Sequence, residues 1–304
     1  MKLATIGREI HPGYALEIWH NPRETFEPAF NTGTRFRLVF IEGGTGILRL
    51  KERRVAFIAP ILFCLNEQDQ PKLEQRLNLR AQALYFHPDV INGDFTLEIA
   101  HGEGQGLPKT TDLQDLFYLQ PFVQRSPEYS GELRIGPASA QRLSHLFEAT
   151  SQEIALQRDT VWPCRSRSFL LELLFLVERL FSEPQETDGS VLTAASDDVA
   201  DIIMYLHAHY DKRITIEELT RTFHVNRTTL TERFREATGM PVITYLIQLR
   251  VRMAAMLLRD TKLSIAEILH RVGFNDPTHF GRTFRKYLGY SPSEYRESFC
   301  WMLP

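Results

Sequence analysis

Two sets of side chains in the last third of the chain have the types and spacing to touch a nucleic acid. Arg227, Thr228, Thr231, Glu232 and Arg235 recur at intervals that put them on one side of a helix. Thr278, His279, Arg282, Arg285 and Lys286 repeat the arrangement about fifty residues later. Their chemistry is hydrogen bonding rather than turnover. An arginine fork such as that of Arg282 pairs bidentately with guanine, Glu232 can accept from the amine of cytosine, and threonines meet thymine methyls. Arg227, Thr228, Thr231, Glu232, Thr278, His279 and Arg282 are therefore the candidates for base edges. Arg235, Arg285 and Lys286 are the candidates for phosphates, which set register without reading sequence.

Other chemistries fare worse. A metal-dependent barrel needs a His-x-His pair with a carboxylate and a later histidine, but His11, His20, His87 and His101 stand apart. The one such pair, His207 and His209, falls on a predicted helix, where a spacing of two turns the rings to different faces. A solvated or capping role is expected for them. Cys64, Cys164 and Cys300 are too scattered for a disulfide framework or a metal knuckle. The glycine-rich stretch 101–108 lacks the strand-to-helix setting and the Lys-Ser/Thr of a phosphate cradle. No catalytic residue, metal or cofactor is expected. An enzyme fused to a DNA reader is the alternative from another class, and it would need a nucleophile or ligand cluster.

The elements that must hold the two polar faces are written twice. Ile216, Leu219 and Phe223 make one apolar stripe, a turn at 224–226 follows, and Leu230 and Phe234 point a second helix inward until Gly239 ends it. In the second copy Ile265, Ile268 and Val272 make the stripe, Gly273 serves the turn, Pro277 opens the next helix, and Phe280, Phe284 and Gly289 complete it. Each copy has the outline of a helix-turn-helix. A helix over 242–259 joins them, and another over 197–209 precedes them.

This ordered set resembles the DNA-binding domain of the AraC/XylS family of bacterial transcription regulators. The likeness covers roughly the last hundred residues. It rests on the Gly273-Phe274 turn, the run from Phe280 through Phe284-Arg285-Lys286, the Gly289-Tyr290-Ser291-Pro292 segment, Tyr295-Arg296 and the joining helix. Two positions depart from the family pattern: Leu269 replaces a small alanine, and Pro241 follows Gly239 one residue early. The resemblance implies double-stranded DNA as partner, a small-molecule effector, dimerisation and, for an activator, contact with RNA polymerase. A protein partner in place of the ligand is the alternative form of control.

The rest of the chain is compatible. With 304 residues, two domains and a connection are expected. Residues 1–200 carry 20 Lys+Arg against 27 Asp+Glu and residues 201–304 carry 15 against 11, so an acidic front precedes a mildly basic back suited to phosphates. No stretch has the length of a membrane span, and the first eight residues lack a signal-peptide core, so a cytoplasmic location is expected.

Short strands are predicted over 14–19, 36–41, 45–50, 54–58, 61–65 and 79–86, with Gly43-Gly44 read as a turn. Many strands without intervening helices imply a small barrel or sandwich, similar to the cupin-like effector domain of many AraC-type regulators. The fold class expected is α+β: a cupin-like β-barrel with a helical hairpin, then an all-α domain. The boundaries are 1–105 for sensing, 106–190 for a dimerising helical region and linker, and 191–304 for DNA binding. An effector pocket lined by Phe36, Phe40, Phe57, Phe63 and Tyr85, with Arg37 or Arg35 gripping an acidic group, competes with plain core packing of the same rings. Of the predicted helices over 138–158 and 163–181, the second is the candidate for a dimer contact, and 182–190 reads as a linker.

Overall fold

The computed structural model describes residues 5–6, 15–27, 34–103, 110–126, 129–182, 191–192 and 197–300. Its strands are β1 (Thr5–Ile6), β2 (Ala15–Leu16), β3 (Ile18–Asn21), β4 (Phe36–Leu50), β5 (Arg53–Ile58), β6 (Ile61–Leu65), β7 (Pro71–Phe86), β8 (Glu132–Arg134) and β9 (Val191–Leu192). The helices are α1 (Leu97–Ala100), α2 (Thr110–Phe117), α3 (Gln120–Val123), α4 (Pro137–Leu156), α5 (Trp162–Ser182), α6 (Asp197–His209), α7 (Ile216–Thr222), α8 (Arg227–Thr238), α9 (Val242–Asp260), α10 (Ile265–Arg271), α11 (Pro277–Leu288) and α12 (Pro292–Phe299). An antiparallel sheet in the first half and helices in the second give the expected α+β class.

The sheet is organised on β4. Its first half pairs with β6 along one edge and its second half with β5, while β7 accompanies it along the other edge. The glycine pair expected to turn the chain instead bends one continuous strand. Pairing shifts register at Gly43 and Gly44, and Gly44 has φ +93° with a Cβ there only 2.5 Å from the carbonyls of Leu77 and Asn78. Glycine thus marks a bulge in a long strand.

Both faces of β4 are buried. Phe36, Leu38 and Phe40 look toward α4 and α5, in a core that includes Leu143, Phe147, Leu170, Leu174 and Val177. Val39, Ile41, Phe57, Phe63 and Tyr85 fill the concave side. The proposed pocket set therefore divides: Phe36 and Phe40 belong to the helix-facing layer, and only Arg37, Phe57, Phe63 and Tyr85 share the inner face. Pleating sends successive residues to opposite faces, so the six cannot line one cavity.

The hairpin α4–α5 lies where expected, but α5 spends Leu170, Leu173, Leu174, Val177 and Leu180 on this same core. Of its apolar residues Phe175 stays outside, 47% exposed, with its ring 4.6 Å from that of Tyr118. The expected linker at 182–190 lies, beyond Ser182, outside the described residues, as does most of the loop at 101–108.

The third core joins the two halves. Ile47 and Ala56 of the sheet pack with Val199, Ile203, Leu206, Leu219, Phe234 and Tyr245. The fourth holds the end of the chain, from Val251 and Leu258 to Phe280 and Phe284. Leu269, the departure from the small residue of the family pattern, is buried within it.

Candidate nucleic-acid interface

Local chemistry starts and stops every helix of the two units. Thr215 caps α7 through the amide of Glu218, and Asn226 caps α8 through that of Thr229, at 3.1 and 2.8 Å. In the second unit Ser264 and Glu267 form a reciprocal capping box, and Asp276 accepts from the amides of Thr278 and His279 at 2.7 and 2.9 Å. Those amides hold the Asp276 carboxyl below its usual range. Gly239 and Gly289 end α8 and α11 in the left-handed conformation, at φ 75° and 78°.

The two turns solve one backbone problem differently. His224 adopts φ 53°, whereas Gly273 adopts φ 83° in a place where a Cβ would stand 2.8 Å from the Asp211 carbonyl. The first turn tolerates a side chain because it faces solvent; the second does not. Arg250, unremarked in the sequence, ties the joining helix α9 to the same loop by donating to the carbonyls of Tyr210 and Lys212 at 2.7 and 2.6 Å.

With these helices in place, every expected contact residue is exposed. Arg227, Thr228, Thr231, Glu232 and Arg235 share the open face of α8, and Thr278, His279, Arg282, Arg285 and Lys286 that of α11. Leu230, Phe234, Phe280 and Phe284 lie beneath them. Arg227 is only loosely paired, 3.7 Å from Glu217. Thr231 donates its hydroxyl to the Arg227 carbonyl at 2.8 Å, which leaves its methyl and lone pairs outward. The His279 ring packs at a tilt against that of Phe274, with centroids 5.6 Å apart.

Arg285 differs from the expectation of a free phosphate contact. One of its terminal nitrogens reaches both carboxylate oxygens of Glu294 at 2.6 Å. Glu294 also accepts from the Ser291 amide, and its carboxyl is held down to about 2. Arg285 thus docks α12 on α11, and a phosphate there has to share it with Glu294. Arg233, whose role the sequence did not suggest, pairs with Asp198 of α6 at 2.8 Å.

Residues 219–298 match the family model described as a helix-turn-helix domain. The HTH-type transcriptional regulator YdiP of Escherichia coli (strain K12) is 37% identical over 101 residues, which cover 33% of this chain and 33% of that protein. The HTH-type transcriptional activator RhaS of Enterobacter sp. (strain 638) is 24% identical over 261 residues, covering 86% of this chain and 84% of RhaS. The C-terminal helix-turn-helix region of this chain is thus similar to those of known transcription regulators. Among solved structures, the C-terminal domain of AraT, a response regulator from Geobacillus stearothermophilus, is 30% identical, with coverage of 34% of this chain and 88% of that one and a TM-score of 0.34.

The histidines of the His-x-His pair do not act together, nor are both solvated. His207 is buried against the sheet, while His209 bonds the Tyr205 carbonyl at 3.1 Å and stacks on its ring. No group of three or more His, Cys, Asp or Glu suited to a metal occurs among the described residues. Cys64 is buried, and burial pushes its thiol up to about 12, far from a reactive thiolate.

Proposed function

We propose that the chain is a sequence-specific regulator of transcription, an activator, whose two helix-turn-helix units enter successive major grooves of double-stranded DNA. The observation that carries this reading is the pair of exposed polar helix faces, α8 and α11, mounted on one rod. At about 1.5 Å per residue α9 spans roughly 28 Å, close to a turn of B-DNA. Arg227, Thr228, Thr231, Glu232, Thr278, His279 and Arg282 read bases. Arg235 and Lys286 grip phosphate, and Arg285 does so while held by Glu294. Residues 191–304 form the reading domain, 1–105 the sensing domain and 106–190 the dimerising region. The protein works in the cytoplasm, carries out no catalysis, and meets RNA polymerase when bound to its operator.

The test is selection of duplexes from a random pool by the full chain, followed by footprinting. Two protected segments about one helical turn apart are expected. Arg282→Ala should weaken binding to the selected duplex roughly 5- to 150-fold and relax preference at one base pair. An unchanged footprint and affinity would remove Arg282 from the reading face.

For the sensing domain, the effector we infer is a small acid held by Arg37. This side chain is 6% exposed, lies 5.1 Å over the Tyr85 ring, and its Nε has no hydrogen-bond partner. The nearby Glu24 carboxylate is already taken by the Asn21 side chain, the Phe26 amide and the Tyr85 hydroxyl. A buried guanidinium with an unpaired Nε donor is costly unless an acceptor meets it. Arg35 is less available, since it pairs with Glu17 at 2.5 Å and stacks on Trp19. Screened against a panel of small carboxylates by thermal shift, the wild-type chain should gain about 3 kcal/mol at a hundredfold excess over Kd. Arg37→Met should gain nothing, and an equal shift in that variant would move the site elsewhere. Homodimerisation uses the apolar face of Leu113, Phe117 and Phe175, all exposed.

A further inference from the structure

The rod α9 is held at both ends by the N-terminal half. Near its start, the Tyr245 hydroxyl meets Nε2 of His207 at 2.8 Å, and the opposite ring nitrogen lies 3.4 Å from the Phe57 carbonyl in β5. At its end stands Asp260, whose side chain is fully buried. One carboxylate oxygen accepts from Nε of Arg259 at 2.9 Å, and the other lies 3.5 Å from the Ser139 hydroxyl, 121 residues away in sequence. This carboxylate presses on Gly136 so closely that a Cβ there would stand 1.9 Å from Oδ2.

Gly136 is the N-cap of α4 and has no side chain with which to cap it. A helix of 20 residues presents its positive end at that point, and the Asp260 carboxylate stands beside it, where negative charge is favourable. Burying Asp260 is expensive, and a buried ion pair is weak grounds for stability. Its geometry, at the last residue of the rod and the first turn of the hairpin, fits a coupling contact better.

We propose that Asp260 is a positioning residue that locks the DNA-reading rod to the N-terminal helical hairpin. Any change in the sensing half that moves α4 then moves the end of α9 from which the second reading unit hangs. The contact is reciprocal: DNA that shifts the rod must alter α4 by the same coupling. This inference rests on the DNA-binding reading above.

Hydrogen–deuterium exchange on the full chain tests it, with and without a duplex selected by the wild-type protein. Without DNA, Asp260→Asn should speed exchange over residues 140–144 roughly 3- to 30-fold. With DNA, wild-type protein should change its exchange there, and the variant should not. Gly136→Ala, which displaces the carboxylate but leaves it charged, should behave alike and serves if Asp260→Asn fails to fold by circular dichroism. Equal exchange in the DNA-free arm, or an identical response to DNA in wild type and variants, overturns the proposal. A wild-type chain that selects no duplex overturns the DNA-binding reading, while the DNA-free arm still decides whether Asp260 caps α4.

Discussion

Phe284→Ala should collapse the second helix-turn-helix unit and abolish the proposed two-groove DNA binding. Phe284 is wholly buried, with the Phe280 and Tyr295 rings 5.7 and 5.5 Å from its own. Removing a buried aromatic ring costs about 3–5 kcal/mol through lost transfer energy and the cavity left behind. A whole domain has only about 5–15 kcal/mol to lose. The unit formed by α10, α11 and α12 is small, so the deficit falls on few other contacts. Circular dichroism melts should show an early transition, and protection over 263–299 in hydrogen exchange should vanish. Glu297→Ala, on the exposed side of α12, is the control and should stay within about 0.5 kcal/mol of wild type. A wild-type melt for Phe284→Ala would mean that the fourth core is not packed as described.

Acid should loosen the joint between the halves through His207. Burial first, then the Arg252 guanidinium, and to a smaller extent Arg134, hold its imidazole down to about 3, against the pull of the Phe57 carbonyl. The folded chain therefore refuses a proton that the unfolded chain accepts near 6.5. Stability from neutral His207 is complete above that value and is lost as pH falls from about 6.5 toward 3. By pH 4.5 the loss is roughly 3 kcal/mol. Replacement with Gln removes the titration but keeps a side chain able to meet Tyr245. The stability difference between wild type and His207→Gln, measured by urea melts, should therefore shift by that amount between pH 7 and 4.5. A difference that is flat with pH would show that His207 is hydrated in solution.

Much of the C-terminal half was legible without coordinates because its signals are local. The helices over 197–209 and 242–260 were placed within a residue, and Gly239, Gly273, Gly289 and Pro277 occupy the caps and turns expected of them. Caps act within four residues and helical stripes within seven, so a short window contains the cause. His224 was less visible, because a left-handed residue other than glycine leaves no compositional trace. The weaker readings lay in the sheet. Gly43-Gly44 announced a break in strand geometry, but a bulge and a turn use the same residue for the same reason.

What the sequence by itself determined is the duplicated helix-turn-helix unit, its polar faces and its resemblance to AraC-type domains. Each depends on periodicity and capping within some twenty-five residues. The tertiary structure decided the rest. Only there does it emerge that β4 is buried on both faces, so that Phe36 and Phe40 turn away from Arg37. Only there does α5 spend its apolar side within its own chain, and only there do His207 and Asp260 leave the reading domain to meet Phe57 and Gly136. These outcomes join residues tens to more than a hundred positions apart. Contacts at that range follow from how apolar layers stack, and a single sequence carries no period or spacing that records the choice.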